Sequence, residues 1–190
     1  RLCDLLWFHD GLGIWLDVSR MRVNAADFER LEPLFETAFQ AMQQLEAGAI
    51  ANPDEQRQVG HYWLRAPELA PSEPVRNHVA REIDQIEQFG KDVLSGAIKA
   101  PCGKPFTDVL WIGIGGSGLG PMLMVRALQR PNAGLPFHFF DNVDPDGMST
   151  VLAGLGDRLK TTLVVTVSKS GGTPEPHIGM EQARLKLEDA

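Results

Sequence analysis

The sequence predicts an α/β fold: a helical N-terminal region over residues 1–104, then the first part of a parallel-sheet, three-layer αβα domain over 105–190. Near-continuous apolar runs at 108–113, 137–141 and 162–168 have the composition of strands buried on both faces. Helical segments follow them, near 121–130, 145–155 and 174–188. Strand–helix alternation of this kind gives a parallel sheet. In the flavodoxin-like strand order 2-1-3 the first and third strands are neighbours, and the crevice between them is the switch point where ligands bind. Three strands make a small sheet for this class. The expectation is therefore an incomplete domain whose polypeptide continues past Ala190. Residue 1 is Arg rather than Met, so the native start is expected to precede it.

Ahead of the sheet, Phe28, Leu31, Leu34, Phe35, Phe39, Met42 and Leu45 mark one face of a helix after Asn24. Pro33 is expected to divide that helix into a short piece and a longer one. Asn52-Pro53-Asp54-Glu55 combines a capping residue, a first-position proline and an early acid, which predicts a helix running to about Arg65. A third helix is predicted after Ser72, with Val75, Val79, Ile83, Ile86, Phe89 and Val93 on one side. Pro101-Cys102-Gly103-Lys104-Pro105 breaks the chain before the first strand.

Composition excludes several functions. With 43% hydrophobic and 23% charged residues the chain reads as a soluble globular protein. A net charge of −7 argues against a nucleic-acid partner, which requires a basic face. No apolar run approaches the roughly 18–20 residues needed to span a bilayer, and the acidic N-terminal stretch is unlike a signal peptide. Cys3 and Cys102 lie in no metal-type cluster and read as reduced packing cysteines of a cytoplasmic protein.

The first candidate turn is Gly113-Ile114-Gly115-Gly116-Ser117-Gly118-Leu119-Gly120-Pro121, between a strand and a helix. Glycines there let the backbone approach an anion, the N–H groups at the helix start face it, and Ser117 adds a hydroxyl. Pro121 suits a first helical turn. The same stretch matches G-x-G-x-x-G, and Asp141 ends the next strand, where a ribose-binding acid belongs. It lies 28 residues past Gly113, against a usual spacing of roughly 20. From this turn alone a dinucleotide site, a sugar-phosphate site and a ligand-free tight turn all stay open.

The second turn, Ser168-Lys169-Ser170-Gly171-Gly172-Thr173, sets hydroxyls, an ammonium and two glycines ahead of a helix. Thr173 stands as N-cap and Pro174 at the first helical position. Converging donors with positive charge are what a phosphate dianion requires. Across the switch point the two turns would face one small anion, which favours a single sugar phosphate over an extended dinucleotide.

Together the two turns resemble those of the phosphoglucose isomerase family, on Gly113-Ile114-Gly115-Gly116-Ser117 with Leu119-Gly120-Pro121, and on Ser168-Lys169-Ser170 with Thr173 and Glu175. Gly11-Leu12-Gly13-Ile14-Trp15-Leu16-Asp17-Val18-Ser19-Arg20 and Gly60-His61-Tyr62-Trp63-Leu64-Arg65 are similar to its cyanobacterial branch. The resemblance implies a sugar-isomerase (SIS) domain and reversible aldose–ketose isomerisation of glucose 6-phosphate to fructose 6-phosphate, in glycolysis and gluconeogenesis. It implies no cofactor or metal, and a cytoplasmic homodimer. By that resemblance Gly116 and Ser117 contact the substrate, Ser168, Lys169, Ser170 and Thr173 grip its phosphate, and Gly171 and Gly172 line the loop. Pro176 stands where many members carry a further Thr. The family's general-base Glu, its ring-opening His and Lys, and its Arg occur in later motifs that these residues lack, so no catalytic residue is assigned here. A non-catalytic phosphosugar-sensing module and, more remotely, a nicotinamide-dependent enzyme are the rival readings.

Two smaller features are read as structural. His61 and Arg65, four apart, read as ordinary positions on an amphipathic helix. Asp141-Asn142-Val143-Asp144-Pro145-Asp146 lacks the Gly and closing Glu of a calcium loop and reads as a strand-end turn.

Overall fold

The structure, a computed structural model, describes residues 5–130 and 133–189. The chain divides into two compact units, Arg1–Ile83 and Asp84–Ala190.

The first unit contains two antiparallel hairpins that the helical reading of residues 1–104 did not foresee. Strands β1 (Leu6–His9) and β2 (Ile14–Asp17) pair with Phe8 opposite Trp15, and those two rings meet at a 30° tilt with centroids 4.5 Å apart. Helix α1 (Ala25–Glu46) opens on a capping box: Asn24 Oδ1 accepts the Ala26 N–H and Asp27 Oδ2 accepts the Asn24 N–H, both at 2.9 Å. Pro33 does not divide it. The helix runs continuously past the proline, with Thr37 Oγ1 donating to the Pro33 carbonyl at 2.9 Å. Regular turns on both sides and the box at the start outweigh the one bond that the proline removes, a cost of about 3 kcal/mol.

The helix expected from Asn52 to Arg65 is also corrected. Strands β3 (Ile50–Asn52) and β4 (Arg57–Gln58) form a hairpin there, and only α2 (His61–Arg65) is helical. Asn52 Oδ1 does accept the Glu55 N–H, at 3.0 Å, but Gln56 then turns left-handed at φ 53° and reverses the chain. An Asx turn and an N-cap share the same first bond, so the local sequence fits both. Trp63 is buried, and its indole N–H donates to the Glu46 carbonyl at 3.2 Å, satisfying the end of α1. After a short 3-10 turn (Pro67–Leu69), α3 (Glu73–Ser95) begins where the periodicity placed it.

In the second unit β5 (Asp108–Ile112), β6 (Phe137–Phe140) and β7 (Thr162–Thr166) form a parallel sheet in the order β6-β5-β7, the expected 2-1-3. The connecting helices are α4 (Gly116–Leu128) and α5 (Pro145–Leu155), and α6 (Pro174–Glu188) follows β7. Leu110, Ile112 and Phe140 on one sheet face pack with Met148 of α5 and Ala183 of α6 to form the core. A Cβ at Gly179 would stand 2.8 Å from Ile112 Cγ2, so the bare glycine lets α6 sit directly on β5. Alternation along β5 turns Trp111 to the opposite face, where it meets α4.

At the N-terminal rim of the strands Asp108 is fully buried. Its carboxylate accepts from Arg158 at 2.6 Å, pairs with His138 Nε2 at 2.9 Å, and accepts from Thr107 Oγ1 at 2.8 Å. A buried charge held by this many partners keeps its favourable electrostatics, whereas removing one side strands the other. Cys102 is exposed rather than packed, because the 101–105 break holds it outside the core; its thiol donates to the Lys160 carbonyl at 3.6 Å. Cys3 lies outside the described residues.

Candidate anion-binding site

Both predicted turns leave the C-terminal rim of the sheet from adjacent parallel strands. The first follows β5 and the second follows β7. The Val167 N–H donates to the Ile112 carbonyl at 2.8 Å, and the Gly113 N–H to the Phe140 carbonyl at 3.0 Å, so pairing continues to the point where the chains diverge. A small recess at this rim is lined by Gly113, Ile114, Phe140 and Asn142 together with Glu175 and Pro176 from the start of α6. The beginning of α6 therefore stands beside the glycine turn.

The first turn is a main-chain construction. Gly115 is the N-cap of α4 at φ 56°, ψ −129°, a conformation closed to residues with a side chain. A Cβ at Gly118 would lie 2.3 Å from the Gly113 carbonyl oxygen, so strand end and helix start touch backbone to backbone. Gly116 is the first residue of α4, and its N–H has no acceptor within the helix. The helix thus begins five residues before Pro121, which stands inside it and not in its first turn. The carbonyl that a residue at 121 would normally bond belongs to Ser117, and it accepts instead from Trp111 Nε1 at 2.8 Å.

In the second turn the hydroxyls meet one another. Thr173 Oγ1 lies 3.0 Å from Ser168 Oγ and 3.2 Å from Ser170 Oγ. The Gly171 N–H donates to Ser168 Oγ at 3.0 Å and the Gly172 N–H to Ser170 Oγ at 3.3 Å. Amide donors thereby occupy acceptor positions on both serines, and the hydroxyl hydrogens remain able to rotate toward an anion. Thr173 holds the N-cap position, as expected, but its side chain makes no capping bond: the neighbouring serines take it. Pro174 and Pro176 both lack an N–H, so α6 offers fewer main-chain donors at its start than an ordinary helix. The polar side chains that this turn presents are its three hydroxyls and the exposed Lys169.

The remaining candidates fall into place without chemistry. Asp144 caps α5 through the Gly147 N–H at 3.0 Å, and Asn142 Oδ1 accepts the Asp144 N–H at 2.8 Å, as a strand-end turn should. Among the described residues no group of His, Cys, Asp or Glu is placed to hold a metal ion. His61 and Arg65 open and close the five-residue α2 in the first unit. Sequence reasoning missed Trp111 and Asn142. The available signal for Trp111 was Pro121, which leaves the Ser117 carbonyl four residues earlier open to another donor.

A parallel α/β sheet with a glycine turn and a hydroxyl turn on adjoining strand ends has the architecture of the α/β domains built around a topological switch point. Residues 17–190 match the family model for phosphoglucose isomerase, and the chain belongs to that family. It is 75% identical over 188 residues to the glucose-6-phosphate isomerase of Parasynechococcus marenigrum (strain WH8102), a match covering 99% of this chain and 34% of that protein. It is 74% identical over 190 residues to the protein of the same name from Synechococcus sp. (strain CC9902), covering 100% of this chain and 36% of that one. A Prochlorococcus marinus (strain MIT 9313) relative of that name is 72% identical over 188 residues, 99% of this chain and 34% of that protein. The chain spans about a third of the length of the curated relatives it matches. Among the described residues no helix is long and apolar enough to cross a membrane.

Proposed function

We propose that this chain is the phosphate-holding part of a glucose-6-phosphate isomerase, which interconverts glucose 6-phosphate and fructose 6-phosphate in glycolysis and gluconeogenesis. Ser168, Lys169, Ser170 and Thr173 grip the phosphate, Gly171 and Gly172 let the loop close around it, and Gly116 and Ser117 face the sugar. The observation that carries this reading is the Ser168–Thr173–Ser170 hydroxyl group, set on the strand next to the glycine turn. A phosphate dianion there fixes one end of an open-chain sugar. Proton transfer between C1 and C2 then requires a general base, which these residues do not supply and the remaining two thirds of the protein would. The working enzyme is proposed as a cytoplasmic homodimer.

In the full-length protein Lys169→Ala is expected to raise the Michaelis constant for glucose 6-phosphate by about tenfold or more, the weight of one charge-assisted hydrogen bond. Steady-state kinetics with an unchanged constant would refute the assignment of this turn. The 190-residue chain alone is expected to bind the sugar phosphate without turning it over; measurable isomerisation by it would contradict the missing base. A phosphosugar sensor would show that same behaviour at full length, which separates the two readings.

A further inference from the structure

The turn after β5 contains a carbonyl that its own helix cannot satisfy. Helical bonding would bring an N–H from residue 121 to the Ser117 carbonyl, but Pro121 has none. The Trp111 indole fills that place, Nε1 donating to Ser117 O at 2.8 Å. Trp111 itself sits in the central strand, opposite Phe139 on one side and Val165 on the other, so the donor is anchored to the middle of the sheet. Its bond is a tether from that sheet to the first turn of α4, the segment carrying Gly116 and Ser117.

We propose that Trp111 is a positioning residue for the isomerase reaction: it supplies the donor that Pro121 lacks, fixes the Ser117–Gly118 peptide through the Ser117 carbonyl, and thereby holds Gly116 and Ser117 in place toward the bound sugar phosphate. This rests on the reading given under Proposed function. Trp111 acts through the turn, so its loss weakens substrate binding more than it slows the chemical step.

The test uses the full-length enzyme and a substitution that returns the missing donor. Trp111→Phe keeps an aromatic ring in the strand but deletes the N–H with part of the indole; the Michaelis constant for glucose 6-phosphate is expected to rise about three- to tenfold, with kcat within about twofold of wild type. Pro121→Ala restores a main-chain N–H to the Ser117 carbonyl, so the double variant W111F/P121A is expected to recover the wild-type constant. A packing role for the indole would predict no such rescue. Hydrogen exchange at the start of α4, faster in W111F and slowed again in the double variant, reads the tether without reference to activity. Unchanged binding and exchange in W111F, or a double variant as impaired as W111F, overturns the proposal. If W111F does not accumulate as folded protein, recovery of folding in W111F/P121A supports it and failure of that variant overturns it. A wild-type protein that leaves glucose 6-phosphate unchanged refutes the isomerase reading instead, and the exchange comparison still decides the tether.

Discussion

The turn after β5 is built from main chain, and the turn after β7 from side chains. In the first, Gly113 and Gly118 meet without side chains between them and Gly115 takes a conformation reserved for glycine. In the second, the Thr173 hydroxyl bonds to those of Ser168 and Ser170, and the two serines take amide donors from Gly171 and Gly172. The difference teaches which property each turn controls. A main-chain turn cannot be altered without moving the strand and helix it joins, so its residues govern stability and, on the proposed function, affinity with it. A side-chain turn can lose a hydroxyl and keep its path, so on the proposed function its residues govern affinity alone.

That contrast can be broken by experiment on the full-length protein. The largest effect is expected from Gly118→Ala, whose methyl would press on the Gly113 carbonyl: roughly 3 kcal/mol of stability lost, seen as a lowered thermal midpoint. A midpoint at the wild-type value would show the turn to be pliable. Next comes Asp108→Asn on the opposite rim, expected to lose about 2 kcal/mol because Arg158 and His138 keep their places without the charge they face. Its Michaelis constant should not move, and a changed constant would mean that the two rims communicate. Thr173→Val should do the reverse, raising the Michaelis constant about fivefold with a thermal midpoint near wild type. A marked loss of stability there would abolish the distinction between the turns. The smallest effect concerns Arg184, whose hydrogen bond holds the Glu181 carboxyl below its usual range. A carboxyl with a lowered folded-state pKa contributes stability at neutral pH and loses it as pH falls through that value. Arg184→Ala should therefore cost slightly at pH 7 and nothing in acid once the carboxyl is protonated, with the difference fading in salt. Denaturant titrations at both pH values check this.

Much of the second unit was legible because its signals are local and repeated. The three apolar runs, the breaks between them and the Asp144-Pro145 and Thr173-Pro174 helix starts are all short-range features, and α5 and α6 fall where the sequence put them. The strands stop one or two residues earlier than their apolar runs, since the last residues turn away to form the site. Pro121 misled because proline is commonest in a first turn; at its interior position the Trp111 indole serves the carbonyl that the proline leaves open. The first unit was harder to read. Asn52-Pro53-Asp54-Glu55 suits a hairpin turn as well as a helix start, and the choice depends on Gln56 adopting a positive φ that its side chain does not advertise. The hydroxyl turn was legible in composition but not in wiring: the pairing of Thr173 with both serines, which empties the cap position, follows from the path of the loop.

Cys102 has a practical consequence. Its exposed sulfur reaches the carbonyl of Lys160, just ahead of β7, and so lies by the rim of the sheet where the strands begin. Both turns lie where the strands end. In a Cys3→Ser background of this chain a maleimide dye attached there would report on the sheet from its far side, leaving both turns unobstructed.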